Sequence, residues 1–167
     1  MLNSMIKPLF FRISRLLHYV FSAKGKHSIH SPVLFNLLNE HLRSANNSNS
    51  RNQRILDALI SCFEIQSVYV ENDMATLNLN TLKHQKKSTA DLLITTSDSI
   101  LKDELLATAE HKQIIVLLDL NKNSSNFKSF IHLKSSKKVT FSLDMWTIGI
   151  LICNYPSVKQ DFILRYF

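Results

Sequence analysis

Four carboxylates, Glu71, Asp73, Asp98 and Asp119, stand just beyond short apolar runs of the length that buried strands have. If those runs lie side by side and point the same way, the acids meet at the strands' carboxyl ends, where open α/β sheets bind ligands. Carboxylates there grip a cation or a hydroxyl-bearing ligand, so these four are the candidate cofactor-binding residues. They also suit a plainer task as solvated loop acids that cap the following helices. Asp98, directly ahead of a helical pattern at 99–110, has the N-cap position. His27-x-x-His30 offers two imidazole nitrogens, but no nearby Cys, Asp or Glu completes a tetrahedral set. The pair is read as positioning the helix that follows it, and no metal is expected. Cys62 and Cys153 sit in the apolar strings LISCF and GILIC, which suits two small buried thiols in a reducing compartment.

No G-x-S-x-G, P-loop or H-E-x-x-H pattern occurs, and no catalytic residue is assigned. The chain of 167 residues holds two glycines, where average usage would give roughly a dozen. Every motif that needs several glycines is thereby excluded. Hydrophobic content of 45% and charged content of 20% belong to a globular domain with a core of its own.

The net charge of +7 is concentrated at one end. Residues 1–54 carry eight basic side chains against Glu40 alone, while residues 55–167 carry twelve basic and twelve acidic ones. Such asymmetry points to an anionic contact in the first third, with nucleic acid, anionic lipid over residues 5–54 or an acidic partner as candidates, and a solvated basic surface as the plain alternative. Arg12 and Arg15 interrupt the first apolar stretch, and no uncharged run reaches 18 residues. Neither a cleaved leader nor a membrane span is expected, and the expected location is the cytoplasm.

The elements that must position these residues follow from periodicity. Residues 5–21 predict an amphipathic helix with Ile6, Leu9, Phe10, Ile13, Leu16, Leu17 and Val20 on one side. Such a helix ordinarily packs this stripe on its own domain; its basic, aromatic character also fits a membrane surface. Its aromatics, Phe10, Phe11, Tyr19 and Phe21, could stack on bases, but they follow the helical stripe better than an open platform. Ser31-Pro32 opens a second helix to about residue 43, with serine as N-cap and proline at N1. SANNSNSRNQ, residues 44–53, reads as a linker, and a third helix covers about 52–63. Apolar runs then recur at Ser67–Val70, Leu92–Thr95, Ile114–Leu118, Val139–Leu143 and Gly149–Cys153, with helical patterns at 98–110 and 124–134. Strands alternating with helices predict an α/β protein with a mostly parallel sheet covered on both faces. Only Asp144–Ile148 joins the last two runs, too short for a crossover, so they should form an antiparallel hairpin.

Three segments carry a family likeness. KHSIHSPVLFNLL (Lys26–Leu38) looks like the KHGxHSPFxFxLL front segment of one bacterial subfamily of class I S-adenosylmethionine (SAM) methyltransferases. VTFSLDMWTIGILIC (Val139–Cys153) is similar to its closing hairpin, with Gly149 at the position of that hairpin's glycine. KQDFILR (Lys159–Arg165) resembles its K-x-x-F-x-I/L-R ending, and fainter likeness runs through 54–135. The resemblance implies a shortened three-layer Rossmann-like domain over 54–167, with a C-terminal antiparallel hairpin, preceded by a basic helical extension and linker over 1–53.

The departures from the family fall on its ligand side. The turn after the first strand, within Ser67–Asn78, has no glycine, whereas SAM binding needs close backbone approach and positive φ there. Only nineteen residues separate Glu71 from Asp91, so part of the sheet should be missing. Thr95, Thr96 and Ser97 replace the family's Phe, Asp and Gly, and Leu118-Asp119 replaces a double Asp. The expectation is a methyltransferase-like protein that has lost SAM binding and catalysis, with no cofactor. It would act as a binding or scaffold module on a protein partner, for which an intact relative is a candidate. The alternatives are an active SAM-dependent methyltransferase with an atypical site, and a peripheral membrane or nucleic-acid binder.

Overall fold

The computed structural model describes residues 2–23, 31–44, 50–71, 77, 79, 82–84, 86–96, 106, 109 and 111–165. In chain order the strands are β1 (Ser67–Val70), β2 (Lys83–His84), β3 (Leu92–Thr96), β4 (Gln113–Leu118), β5 (Val139–Asp144), β6 (Gly149–Cys153) and β7 (Gln160–Ile163). They form one sheet in the order β2-β1-β3-β4-β6-β5-β7. Every pairing is parallel except the two made by β6, which runs against both β4 and β5. The protein is therefore α/β with a mostly parallel sheet. The predicted hairpin is present, and β6, its second strand, lies between β4 and β5.

Alternation along the strands divides the core into two faces, as the two-residue period of a strand requires. Leu92, Ile94, Ile114, Val116, Ile150 and Ile152 share one face. Leu93, Ile115, Leu117, Leu151 and Cys153 share the other. Helix α3 (Arg51–Phe63) covers the first face with Ile55, Leu56 and Leu59, as its periodicity predicts. Ser50 caps it by accepting from the Gln53 N–H at 3.3 Å, and Glu64 closes it in the left-handed region at φ 54°. Helix α4 (Ser124–Lys134) covers the second face with Phe130 and Leu133, capped by Asn123, which accepts from the Asn126 N–H at 2.8 Å.

The helix predicted from Ser31 starts there, with Pro32 at N1, but the Ser31 hydroxyl makes no capping bond. The segment runs as α2 (Pro32–Asn36), a π-helical stretch at Leu37–His41 and a closing turn at Leu42–Ser44. The wider π turn brings Leu37 and Leu42, five residues apart, into the same core as Leu34 and α3. Segment 1–53 thus contributes to the buried cluster over the sheet. Between Glu71 and Asp91, where loss of sheet is expected, a two-residue strand persists as β2 on the outer side of β1. Of the predicted 98–110 helix, only Leu106 and Ala109 are described, and His27 and His30 lie outside the described residues.

Helix α1 (Leu2–Ser22) forms as predicted but turns the other way. The stripe expected to be buried faces solvent: Leu9, Phe10, Ile13, Leu16, Leu17 and Val20 are all exposed. Of its described side chains, the buried ones are Arg15 at 4% and Tyr19 at 7% exposure. Polar bonds rather than apolar area decide this orientation. The Tyr19 hydroxyl donates to the Leu164 carbonyl at 2.5 Å, and Arg165 Nη2 donates to the Val20 carbonyl at 2.6 Å.

Candidate functional site

With β2 on one side of β1 and β3 on the other, the sheet's strand order reverses at β1, and the β1–β3 crevice is its switch point. Glu71 leaves β1 there, its N–H bonded to the Ile94 carbonyl at 2.9 Å. Val70 pairs with Ile94, so the next residue on each strand, Glu71 and Thr95, stand opposite one another. The buried Thr95 hydroxyl donates to Glu71 Oε2 at 2.5 Å, tying the two strand ends together.

Asp119 leaves β4 in the left-handed region at φ 59°. Its carbonyl accepts from Lys122 N at 3.0 Å and from Asn126 Nδ2 at 3.1 Å, which builds its backbone into the turn before α4. Because β3 intervenes, Glu71 and Asp119 are two strand spacings apart, roughly 10 Å. Asp73 and Asp98 lie outside the described residues, so the structure places two of the four predicted acids, at the ends of β1 and β4 with β3 between them. Among the described residues no three His, Cys, Asp or Glu side chains converge as metal ligands.

A second place, which the sequence reading did not identify, lies between α1, α4, β5 and β7. Arg15 Nη1 and Nη2 donate to Asp144 Oδ2 and Oδ1 at 2.9 and 2.8 Å, a bidentate pair with both side chains buried. Nη2 also reaches the Trp146 carbonyl at 2.9 Å, and the guanidinium lies 4.0 Å from the Phe127 ring centre. Asp144 Oδ1 further accepts from the Trp146 N–H at 3.0 Å, which helps hold Trp146 at φ 73°. Beside this hub is a cavity of about 580 Å³. Its walls include Phe11, Phe127, Phe130 and Phe162, with His18, Lys134 and Asp161 as polar groups. Most of the polar groups are already paired, Lys134 with Asp161 at 3.6 Å and the Ser142 hydroxyl with Asp161 Oδ1 at 2.5 Å. Arg15 Nε is buried without a partner among the described residues. The signal in the sequence was an arginine opposite the apolar stripe and an acid ending the apolar run VTFSL; their pairing, 129 residues apart, is tertiary.

Both cysteines are free. Burial pushes the Cys153 thiol up to about 12, with Lys138 opposing in part. Cys62, half-buried, is also raised by burial; Lys112 pulls it down and Glu40 pushes it up. No helix of the described residues is long and apolar enough to cross a membrane. Comparison with protein-family models, curated proteins and solved structures finds no match for this chain.

Proposed function

We propose that the chain is a non-catalytic binding or scaffold module, built on a Rossmann-like fold of methyltransferase type that has lost SAM binding. The strand order around β1 and the reversed β6 support the fold assignment, since both agree with the sheet and hairpin that the resemblance implies. Fold alone does not decide activity, so the reading rests on the crevice.

The observation that carries it is the Glu71–Thr95 bond across the β1–β3 switch point. A ligand seated there would have to compete with the Thr95 hydroxyl for Glu71 Oε2, and breaking this part-buried bond without replacing it is unfavourable. The segment that follows also lacks the glycine that would bring backbone N–H groups close to the ligand. A module of this kind acts through what it holds, and a protein partner, an intact relative among the candidates, is its proposed target.

Thermal melting with saturating SAM, or with its demethylated product, tests the proposal. No shift is expected. A ligand at a hundred times its Kd would stabilise the fold by about 2.7 kcal/mol, and a saturable shift of that size would restore the active-methyltransferase reading.

A further inference from the structure

We infer that α1 is an interfacial helix that docks the domain on an anionic lipid surface. The inference is independent of whether the β1–β3 crevice binds a cofactor.

Phe10 and Phe21 are 72% and 84% exposed, and Leu9, Ile13 and Leu17 are each at least half exposed. At 100° per residue these side chains, with Leu16 and Val20, fill one continuous arc of roughly 140°. From Leu9 to Phe21 the arc runs about 18 Å along the helix at 1.5 Å per residue. Isolated exposed leucines are ordinary; a continuous apolar face along one helix marks a contact surface. Among the described residues nothing covers it.

Charge decides what the face meets. Residues 2–22 contain no acid, and the first acidic residue of the chain is Glu40. Exposed Arg12 falls at one border of the arc and exposed His18 beyond the other. Arg15, the remaining arginine, is buried against Asp144 and lends nothing to the surface charge. An apolar arc with a cationic border and no acid is complementary to acyl chains beneath anionic headgroups. Two copies packed face to face would bring their Arg12 borders together with no acid on the helix to pair them. A nucleic acid would find phosphate-binding charge only at the edge and leave the aliphatic arc in water. The helix is long enough but not apolar enough to span, so it lies in the plane of the surface. Its inner side, bonded through Arg15 and Tyr19, carries the sheet with it.

The full chain should co-sediment with phosphatidylcholine vesicles containing about 30 mol % phosphatidylserine, and bind pure phosphatidylcholine at least tenfold more weakly. Raising the salt from about 0.1 to 0.5 M should weaken binding severalfold. Arg12→Glu should weaken it at least fivefold, and the Phe10→Ser/Phe21→Ser pair about a hundredfold. All three positions are exposed, so melting temperature and Trp146 emission without vesicles should stay at the wild-type values; Arg12→Gln serves if Arg12→Glu disturbs the fold. No binding by the folded wild type overturns the inference. So does binding that Phe10→Ser/Phe21→Ser leaves intact, self-association through α1 in place of vesicle binding, or retention on an oligonucleotide that ignores the phenylalanine changes.

Discussion

Cys153 ends β6 with its thiol enclosed, and the enclosure sets a pH dependence whose sign is fixed by linkage. Its pKa rises from an ordinary 9.0 to about 12 because burial disfavours the thiolate. Below pH 9 the thiol is protonated in both folded and unfolded chains, and its contribution to stability is fully present. Between 9 and 12 the unfolded chain ionises first, so the folded state loses stability as pH rises, on the order of 2 kcal/mol by about pH 10.5. Urea midpoints at pH 8 and 10.5 should therefore fall further for the wild type than for Cys153→Ala, because lysine and tyrosine titration is common to both. Equal falls would show that the thiol is not enclosed. The burial of this cysteine was readable in GILIC. So was the position of Glu71 beyond an apolar run, but not its partner, since only the β1–β3 register sets Glu71 opposite Thr95. Among the described residues the left-handed backbone positions fall to Glu64, Asp119, Trp146 and Asn154, none of them a glycine. No local pattern announces these, because each is held by the turn around it.

At the scale of elements, Gly149 decides how closely α4 approaches the hairpin. A Cβ there would lie 2.6 Å from Phe130 Cδ2 and 2.7 Å from Leu120 Cδ1, both in the closed core. Gly149→Ala forces the Phe130 ring to shift where little space exists, and should cost about 1–3 kcal/mol. Chemical denaturation measures it, and pairing the change with Phe130→Leu should recover part of the loss. A neutral Gly149→Ala would mean that α4 is loosely seated. The β5–β6 hairpin was legible because two apolar runs are joined by only Asp144–Ile148. The parallel strands were legible because they are buried on both faces, as the fully buried β4 illustrates. The edge strands were not: β2 is two residues long, and β7 is mostly half-buried, so neither leaves an apolar signature. Periodicity in α1 identified an apolar face correctly and assigned it the wrong neighbour. An amphipathic pattern states which residues lie together, not whether they face a core or another medium. Here a bidentate pair on the opposite side holds the helix down instead.

For the whole molecule, that pair joins the first helix to a strand end 129 residues later, and it decides how α1 is attached. Removing one partner leaves a buried charge uncompensated, which typically costs about 3–5 kcal/mol. The molecule has a cheaper response than global unfolding. Because the apolar side of α1 already faces outward, the helix can lift and hydrate Arg15 while the sheet stays folded. Asp144→Ala should accordingly release α1 before the core melts. Trp146, the single tryptophan, reports on this directly, since its ring lies 5.6 Å from that of Tyr19 and 5.4 Å from the Arg15 guanidinium. Its emission should shift to longer wavelength, and trypsin should cut at Arg12 and Arg15 faster than in the wild type. Replacing both partners, as Arg15→Met with Asp144→Leu, removes the uncompensated charge and should return α1 to its seat. A deficit of about 1 kcal/mol should persist, because the Trp146 N–H loses the Asp144 oxygen that holds it. If Asp144→Ala leaves tryptophan emission and the tryptic pattern as in the wild type, the attachment does not depend on the pair. If the double replacement stays as loose as the single one, packing around Trp146 rather than charge holds the helix.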